Sequence, residues 1–181
     1  MDVDRKIATA LGFPKPQYTL VERERRWLCR DVPRERVVRT EMVTDLYVTG
    51  TRLRLREARP IGGGPSKLRL SRKADVDART RLITSIYLPE DEFAVLAASL
   101  PGVRITKVRH TLQHLPGIQI SVDEFQGELD GLILVEAEFD TRELMAAFKT
   151  PDFAKRDVTD DPRFTGGFLA RDGLPGGFGK A

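Results

Sequence analysis

The sequence predicts an α+β fold that is mainly antiparallel β-sheet. Short segments in which apolar and charged residues alternate are separated by turn residues such as Pro116-Gly117 and Asp130-Gly131. The expected strands cover residues 19–29, 45–57, 66–73, 81–88, 103–112, 117–125 and 131–140. Because many short strands with regular turns pair most simply with their neighbours, we expect a closed or nearly closed antiparallel sheet.

Helical spacing of apolar residues is confined to a few segments. The expected helices cover residues 2–11, 90–100 and 142–149, with a further turn or two within 161–170. Thr141 offers an N-cap to the third helix. We see no internal repeat, and the organisation we expect is an N-terminal segment (residues 1–18), one domain (19–171) and a flexible glycine-rich tail (172–181).

Composition restricts the functional classes. The 181 residues carry a formal net charge of only +3, and lysines and arginines are interleaved with acids, so nucleic acid binding is not indicated and a small polyanion is the better partner. Cys29 is the single cysteine, which excludes an internal disulfide and a thiolate metal site. No apolar run has the length of a membrane span, and the first residues lack a signal-peptide core, so we expect a soluble cytoplasmic protein.

Two predicted strands carry pairs of carboxylates on one face. In an extended chain every second side chain points the same way, so Glu22 lies beside Glu24, and Glu136 lies beside Glu138. Like charges held this close repel each other unless a cation neutralises them. If the fold brings the two pairs together, they form an all-oxygen site suited to Mg²⁺ or Mn²⁺.

Other predicted strands carry one basic face each. The basic residues that share a face are Arg52, Arg54 and Arg56, then Arg69 and Lys73, then Lys107 and Arg109. A solvated outer face explains any one such strand. Whole strands of one sign, however, favour charges that point into the barrel, where a lining of carboxylates and guanidinium groups must contain counterions or substrate. The number and order of strands alone leave both arrangements open.

The motifs also follow one another in a specific order. Glu22–Leu28 reads Glu-x-Glu-x-Arg followed by Trp and Leu. The later motifs are Asp45–Val48, Arg52–Arg54, Leu70–Lys73, Lys107–Arg109, Asp123–Phe125, Glu136–Glu138 and Val158–Asp161. Over residues 20–170 this ordered set resembles the CYTH superfamily, also called triphosphate tunnel metalloenzymes.

The resemblance implies an eight-stranded closed antiparallel tunnel with a few flanking helices. It also implies a hydrolase that cleaves the terminal phosphoanhydride of an inorganic or organic triphosphate, with Mg²⁺ or Mn²⁺ as cofactor. The implied metal ligands are Glu22, Glu24, Asp123, Glu136 and Glu138. The implied phosphate-binding residues are Arg52, Arg54, Arg56, Lys73, Lys107 and Arg109. Asp123 and Arg26 are the implied catalytic residues.

The sequence departs from the family pattern at several positions. Arg26 replaces the signature lysine, and it cannot exchange a proton near neutral pH. The acidic pair of a middle strand is missing where the chain reads Arg81–Tyr87. Two alternatives therefore stay open: an adenylyl cyclase of the class IV type, and a non-catalytic module that binds polyphosphate or phosphorylated ligands. Product identity separates the cyclase from the hydrolase, and metal-dependent turnover separates both enzymes from the binding module.

Overall fold

The computed structural model of the chain describes residues 3–176 and 178. The strands are β1 (Leu20–Cys29), β2 (Val37–Val48), β3 (Leu53–Pro60), β4 (Lys67–Asp75), β5 (Thr80–Tyr87), β6 (Gly102–Leu112), β7 (Ile118–Phe125), β8 (Ile133–Phe139) and β9 (Ala154–Asp157). The helices are α1 (Arg5–Ala10), α2 (Glu90–Ser99), α3 (Arg142–Ala147) and α4 (Gly166–Asp172). Short 3-10 turns cover Pro16–Tyr18, Arg34–Arg36, Gly127–Leu129 and Pro162–Phe164.

Within this described part, eight strands form one closed antiparallel barrel. Their order is β5-β4-β3-β2-β6-β7-β8-β1, and β1 pairs back to β5. The closing seam is short and runs from Leu20 opposite Ile83 to Arg23 opposite Thr80. Farther along β1, the short strand β9 pairs with Trp27, Leu28 and Cys29. The predicted eight-stranded closed antiparallel fold is confirmed.

The apolar core lies mainly outside the barrel wall. Trp27, Val122 and Val135 point away from the barrel interior and pack with Leu144 and other residues of α3. A second cluster joins α1 to the outer faces of β4 and β5 through Ala8, Phe13, Ala74 and Leu82. Since apolar side chains take the outer face of each strand, the period of two places the alternating charged residues inside.

A third apolar cluster packs at one end of the barrel. Ile105, Phe125 and Leu134 from three neighbouring strands pack against Phe164 and Leu169, which belong to the segment that follows β9. Thr165 caps α4 by accepting a hydrogen bond from the Phe168 amide. We call this end of the barrel the α4 end.

Close packing at the α4 end gives a testable consequence. A methyl group added at Gly166 would overlap the Tyr47 hydroxyl and lie 2.8 Å from Cζ of the same ring. Gly166→Ala is therefore expected to lower the free energy of unfolding by about 1–3 kcal/mol in urea titrations. The matched variant Gly167→Ala meets nothing within 4 Å, so it should be neutral or stabilising by up to about 1 kcal/mol. Equal stability of the two variants would contradict this packing.

The main differences from the predicted strand boundaries lie in β2, in the turn that follows it and at β9. Strand β2 begins at Val37, so residues 37–44 form strand that was not predicted. The predicted strand 45–57 is wrong, because this range contains a hairpin: β2 ends at Val48, and β3 begins at Leu53. Gly50 in the turn has a φ of 72°, a backbone conformation that glycine adopts without strain. Strand β9 was not predicted, because four residues are too short to show an alternating pattern.

The first three predicted helices are present with shorter bounds, and the helical turns expected within 161–170 correspond to the Pro162–Phe164 turn and to α4, which continues to Asp172. Asp4 caps α1 by accepting hydrogen bonds from the Lys6 and Ile7 amides, and Thr141 caps α3. Of the predicted flexible tail, residues 177 and 179–181 lie outside the described residues, so the domain bounds stay a prediction. The longest helix that the structure describes, α2, has 10 residues, and none in this part of the chain has the length and apolar character needed to traverse a lipid bilayer.

Candidate active site

The barrel encloses a strongly charged cavity of about 230 Å³, a size that suits a small ligand. Every strand from β1 to β8 contributes alternate residues to its wall. The basic lining residues are Arg39, Arg54, Arg56, Lys67, Arg69, Lys73, Arg81, Lys107 and Arg109. The acidic lining residues are Glu22, Glu24, Glu41, Asp45, Glu136 and Glu138.

The acidic residues of β1 and β8 lie next to each other. Glu24 is the direct cross-strand partner of Glu138, and Arg26 is the partner of Glu136. Directly opposite residues of an antiparallel pair have Cβ atoms about 4.5–5.5 Å apart, and like charges in such a pair are destabilising. Glu22 lies two residues before Glu24 on the same inward face. The two predicted carboxylate pairs therefore form one acidic patch, which we call the carboxylate wall.

The carboxylates of this wall have divergent pKa values. Burial, followed by repulsion from Glu136 and Glu22, raises the pKa of Glu24. Burial and then Glu22 raise the pKa of Glu138. For Glu22, burial is outweighed by the combined attraction of Lys73, Arg81 and Arg54, and the pKa falls to about 2. The Lys73 ammonium is 2.7 Å from the carboxylate. The wall therefore combines two carboxyl groups with raised pKa values, Glu24 and Glu138, and one with a lowered pKa, Glu22.

A second set of ion pairs joins β6, β7 and β8. Arg109 donates to both oxygens of Asp123, at 2.7 and 2.6 Å, and to Glu136 at 2.6 Å. Lys107 also donates to Asp123. Burial opposes the charge on Asp123, but Arg109 and Lys107 lower its pKa below the ordinary value. Asp123 is buried and does not line the cavity itself, whereas its two basic partners do.

Strands β2 and β3 supply a third set. Asp45 accepts two hydrogen bonds from Arg56, both at 2.6 Å, and lies 3.4 Å from Arg54. The Nε of Arg54 is buried and has no hydrogen-bond partner in the described part of the chain. Arg54 lines the cavity, and its contact with Asp45, made through this Nε, is weaker than the two hydrogen bonds that Arg56 donates to Asp45.

Two residues predicted from the family resemblance lie away from the cavity. Arg52 is exposed in the turn between β2 and β3 and borders an outer depression beside α4. Arg26 is fully buried, 3.4 Å from Glu24, and donates to the Thr159 carbonyl at 3.3 Å. The other predicted residues except Asp123 line the cavity.

Several lining residues were not predicted as site residues. Among them Arg81 is notable, because its guanidinium lies 3.0 Å from Glu24 and 2.9 Å from Asp75. The unpredicted charged lining residues are Arg39, Glu41, Asp45, Lys67, Arg69 and Arg81. The signal was available in part, since Arg81 alternates with Ile83, Ser85 and Tyr87 on one face of β5.

The oxygen-rich carboxylate wall fits a divalent cation, although the described residues do not gather three acidic, cysteine or histidine side chains into a ready-made metal cluster. Oε1 of Glu24 is buried without a hydrogen-bond partner among the described residues. Glu138 is the cross-strand register partner of Glu24, and Glu136 and Glu22 are the carboxylates that repel its charge most strongly. A hard cation would relieve this repulsion, and carboxylate oxygens are the ligands that Mg²⁺ and Mn²⁺ prefer.

Comparison with known proteins finds sequence similarity to two inorganic triphosphatases. No protein-family model matches the chain. The chain is 40% identical over 68 residues to an inorganic triphosphatase of Acetivibrio thermocellus, a match that covers 38% of this chain and 42% of that protein. It is 32% identical over 85 residues to an inorganic triphosphatase of Nitrosomonas europaea, covering 47% and 56%. The matches thus span about half the length of these curated relatives.

A solved structure of an inorganic triphosphatase extends the comparison to most of the chain. It superimposes with a TM-score of 0.56 and 25% identity, covering 82% of this chain and 93% of that one. The closed barrel, its charged interior and these relatives fit the CYTH, or triphosphate tunnel, family, and the resemblance predicted from the sequence is confirmed.

Proposed function

We propose that the protein is a divalent-metal-dependent hydrolase that cleaves the terminal phosphoanhydride of a triphosphate inside the barrel. One observation carries the proposal: the carboxylate wall, with Glu24 opposite Glu138, shares a cavity with Arg54, Lys73 and Lys107. A cavity in which carboxylates can bind a cation and basic side chains can bind an anion suits a metal-bound polyanion. The names of the two curated relatives support inorganic triphosphate as the first substrate to test.

The basic residues bind and orient the phosphate groups. Arg54 lines the cavity and is held by Asp45 only at 3.4 Å, and Lys73 and Arg109 lie beside the carboxylate wall. Guanidinium forks give directional contacts to phosphate oxygens, and ammonium groups act as point charges. We assign Arg56 and Lys107 to the same anion-binding surface and Arg52 to its outer approach.

The carboxylates of the wall hold the cation. We assign Glu22, Glu24, Glu136 and Glu138 as the residues that supply its oxygen ligands, with Mg²⁺ or Mn²⁺ as the metal. When bound, such an ion would neutralise negative charge on the phosphate oxygens. Arg26 positions Glu24, since its guanidinium lies 3.4 Å from that carboxylate and donates a hydrogen bond to the Thr159 carbonyl.

Asp123 has a positioning role in this proposal. Its lowered pKa makes it a poor proton acceptor near neutral pH, and it holds Lys107 and Arg109 in place. The sequence prediction that Asp123 ligates metal or orients the attacking water stays a prediction. In the reaction, a water oxygen forms a bond to the terminal phosphorus, and the bridging P–O bond breaks. The products are orthophosphate and the shortened phosphate, which takes the electron pair of the broken bond.

Product analysis tests the proposed function. The purified protein is incubated with inorganic triphosphate or ATP, each with Mg²⁺, Mn²⁺ or a chelator, and the products are resolved by phosphorus magnetic resonance. We expect metal-dependent release of orthophosphate from inorganic triphosphate, and release from ATP would extend the substrates to organic triphosphates. Cyclic nucleotide with pyrophosphate from ATP would instead identify a cyclase, and metal-independent binding with no product would identify a binding module.

Arg54 and Arg52 form a matched pair for testing the anion-binding surface. Arg54→Gln removes a buried guanidinium from the cavity, so the KM for inorganic triphosphate should rise by at least about tenfold, because a charge-assisted contact contributes about 1.5–3 kcal/mol. Arg52→Gln changes only an exposed turn residue, and the KM should change by less than about threefold. Steady-state kinetics at fixed free Mg²⁺ measure both values. Equal effects of the two substitutions would contradict the assignment of Arg54.

A further inference from the structure

Arg81 connects the carboxylate wall to the surface. It lies on β5 and is the register partner of Glu22 on one side and of Asp75 on the other. Its Nη1 is 3.0 Å from Oε1 of Glu24, and its Nε is 2.9 Å from Asp75. The Glu24 side chain is only 3% exposed, whereas that of Asp75 is 64% exposed. One guanidinium is therefore shared between a buried carboxylate and an exposed one.

The contact between Arg81 and Glu24 is electrostatic without being a well-directed hydrogen bond. Although the two atoms are 3.0 Å apart, Oε1 of Glu24 has no hydrogen-bond partner within the described residues. An ion pair with poor hydrogen-bond geometry is weaker than a well-aligned charge-assisted hydrogen bond. Glu24 can therefore exchange this partner for another cation at a smaller cost than a bidentate pair such as Asp45 with Arg56.

We propose that Arg81 is a positioning residue that acts as an internal counter-ion of Glu24 in the free protein and transfers to the triphosphate when that ligand binds. This inference rests on the proposed function. The guanidinium stays charged at any physiological pH, and its planar fork fits phosphate as well as carboxylate. Once Arg81 contacts the phosphate, Glu24 is free to ligate the divalent cation.

The consequence is positive coupling between the two ligands. In the free protein a divalent cation must displace Arg81 from Glu24, which weakens cation binding. Triphosphate removes that competitor, so it strengthens cation binding, and by linkage the cation strengthens triphosphate binding by the same factor. Couplings of this kind lie on the order of 5- to 150-fold.

Asp75 affects the strength of the pair between Arg81 and Glu24. Because its exposed carboxylate holds Nε of Arg81, it draws the guanidinium away from Glu24. Without Asp75, Arg81 would pair more strongly with Glu24, and the cation would bind the free protein more weakly. Substitutions of Arg81 and of Asp75 should therefore shift cation affinity in opposite directions.

Mn²⁺ titrations of the full chain, followed by electron paramagnetic resonance, test the inference. Each variant is titrated without and with an imido-bridged triphosphate analogue that resists hydrolysis, and free Mn²⁺ is corrected for chelation by the analogue. For the unsubstituted protein we expect the analogue to raise Mn²⁺ affinity on the order of tenfold. Arg81→Gln should bind Mn²⁺ more tightly without the analogue and should lose most of the further gain.

Two further variants complete the design. Asp75→Asn should bind Mn²⁺ more weakly without the analogue and show a larger gain on adding it; since Asp75 is exposed, this variant decides the matter even if Arg81→Gln does not fold. Arg79→Gln is the matched control, because Arg79 pairs with Asp160, and both side chains are largely exposed. It should match the unsubstituted protein in both titrations.

Two results overturn the inference. One is an unchanged or weaker Mn²⁺ affinity in folded Arg81→Gln, and the other is an unchanged affinity in Asp75→Asn. Triphosphate hydrolysis by the unsubstituted protein is measured on the same preparation. If the protein hydrolyses triphosphate and either of these results is obtained, only the proposed role of Arg81 is wrong. If metal-dependent hydrolysis is absent, the proposed function itself is wrong.

Discussion

Glu138→Gln is expected to reduce triphosphate hydrolysis by more than about 100-fold while leaving the protein at least as stable as before. Loss of an outer partner of a metal ligand already costs about 10- to 100-fold in metal affinity or activity, so loss of a ligand should cost more. Stability should not fall, because Glu138 forms no ion pair within the described residues and lies directly opposite Glu24. Activity assays and thermal melts on the same samples measure the two effects.

The stability gained by Glu138→Gln should depend on pH. Burial and repulsion raise the pKa of Glu138 above its ordinary value of 4.5. A carboxyl with a raised folded-state pKa stabilises the fold fully below the ordinary pKa, and this contribution is lost as pH rises through the folded-state pKa. The gain in melting temperature from Glu138→Gln should therefore be largest near neutral pH and shrink as pH falls toward 4.5.

A control variant separates this effect from loss of any carboxylate. Glu128→Gln changes an exposed residue of the Gly127–Leu129 turn, outside the cavity, and should leave both activity and melting temperature unchanged. Retention of more than about a tenth of the activity by Glu138→Gln would contradict its assignment to the cation site. A large drop in its melting temperature would contradict the unfavourable burial of the Glu138 carboxylate beside Glu22.

Arg109→Met is expected to lower the free energy of unfolding by about 3–5 kcal/mol. Arg109 contacts both Asp123 and Glu136, so its removal leaves the buried Asp123 and the partly buried Glu136 without their main partner. Urea titrations measure the loss. Substituting Asp123→Asn in the same chain should restore part of the stability, because one uncompensated charge then disappears.

An exposed ion pair provides the comparison for Arg109. Arg163 pairs with Asp161 at 2.8 Å on the surface, where solvent screens the interaction, and Arg163→Met should produce no measurable change in stability. If Arg109→Met changes the free energy of unfolding by less than about 1 kcal/mol, water must solvate the carboxylates left without a partner. This result would contradict an ion-pair network from which water is excluded between β6, β7 and β8.

Much of the fold is predictable from the sequence because one physical pattern repeats in every strand. Alternation of apolar and charged residues in β1, β3, β6 and β8 indicates strands with one charged face, and the segregation of charge by strand indicates that this face points inward. The pattern does not locate tight turns between two strands of similar character. For that reason the hairpin around Gly50 was read as one continuous strand.

The candidate site is predictable in composition but not in pairing. That Glu24 and Glu138 are both site residues follows from the motifs, whereas their direct opposition depends on the register of β1 against β8, which no local pattern specifies. Arg81 was missed for the same reason, since its role depends on contacts with β1 and β4. Arg52 and Arg54 share a face in an ideal strand, but Arg52 lies in the turn before β3 begins.

In the proposed site, Glu24 and Glu138 hold a divalent cation against a bound triphosphate. The most direct test is the number of Mn²⁺ ions bound to the unsubstituted protein and to Glu138→Gln, measured by electron paramagnetic resonance in the presence of the imido-bridged analogue and corrected for Mn²⁺ bound by the analogue in solution. We expect tight Mn²⁺ binding to the unsubstituted protein and its loss in the variant. Equal Mn²⁺ binding by both proteins, or none by either, would contradict this role of the two carboxylates.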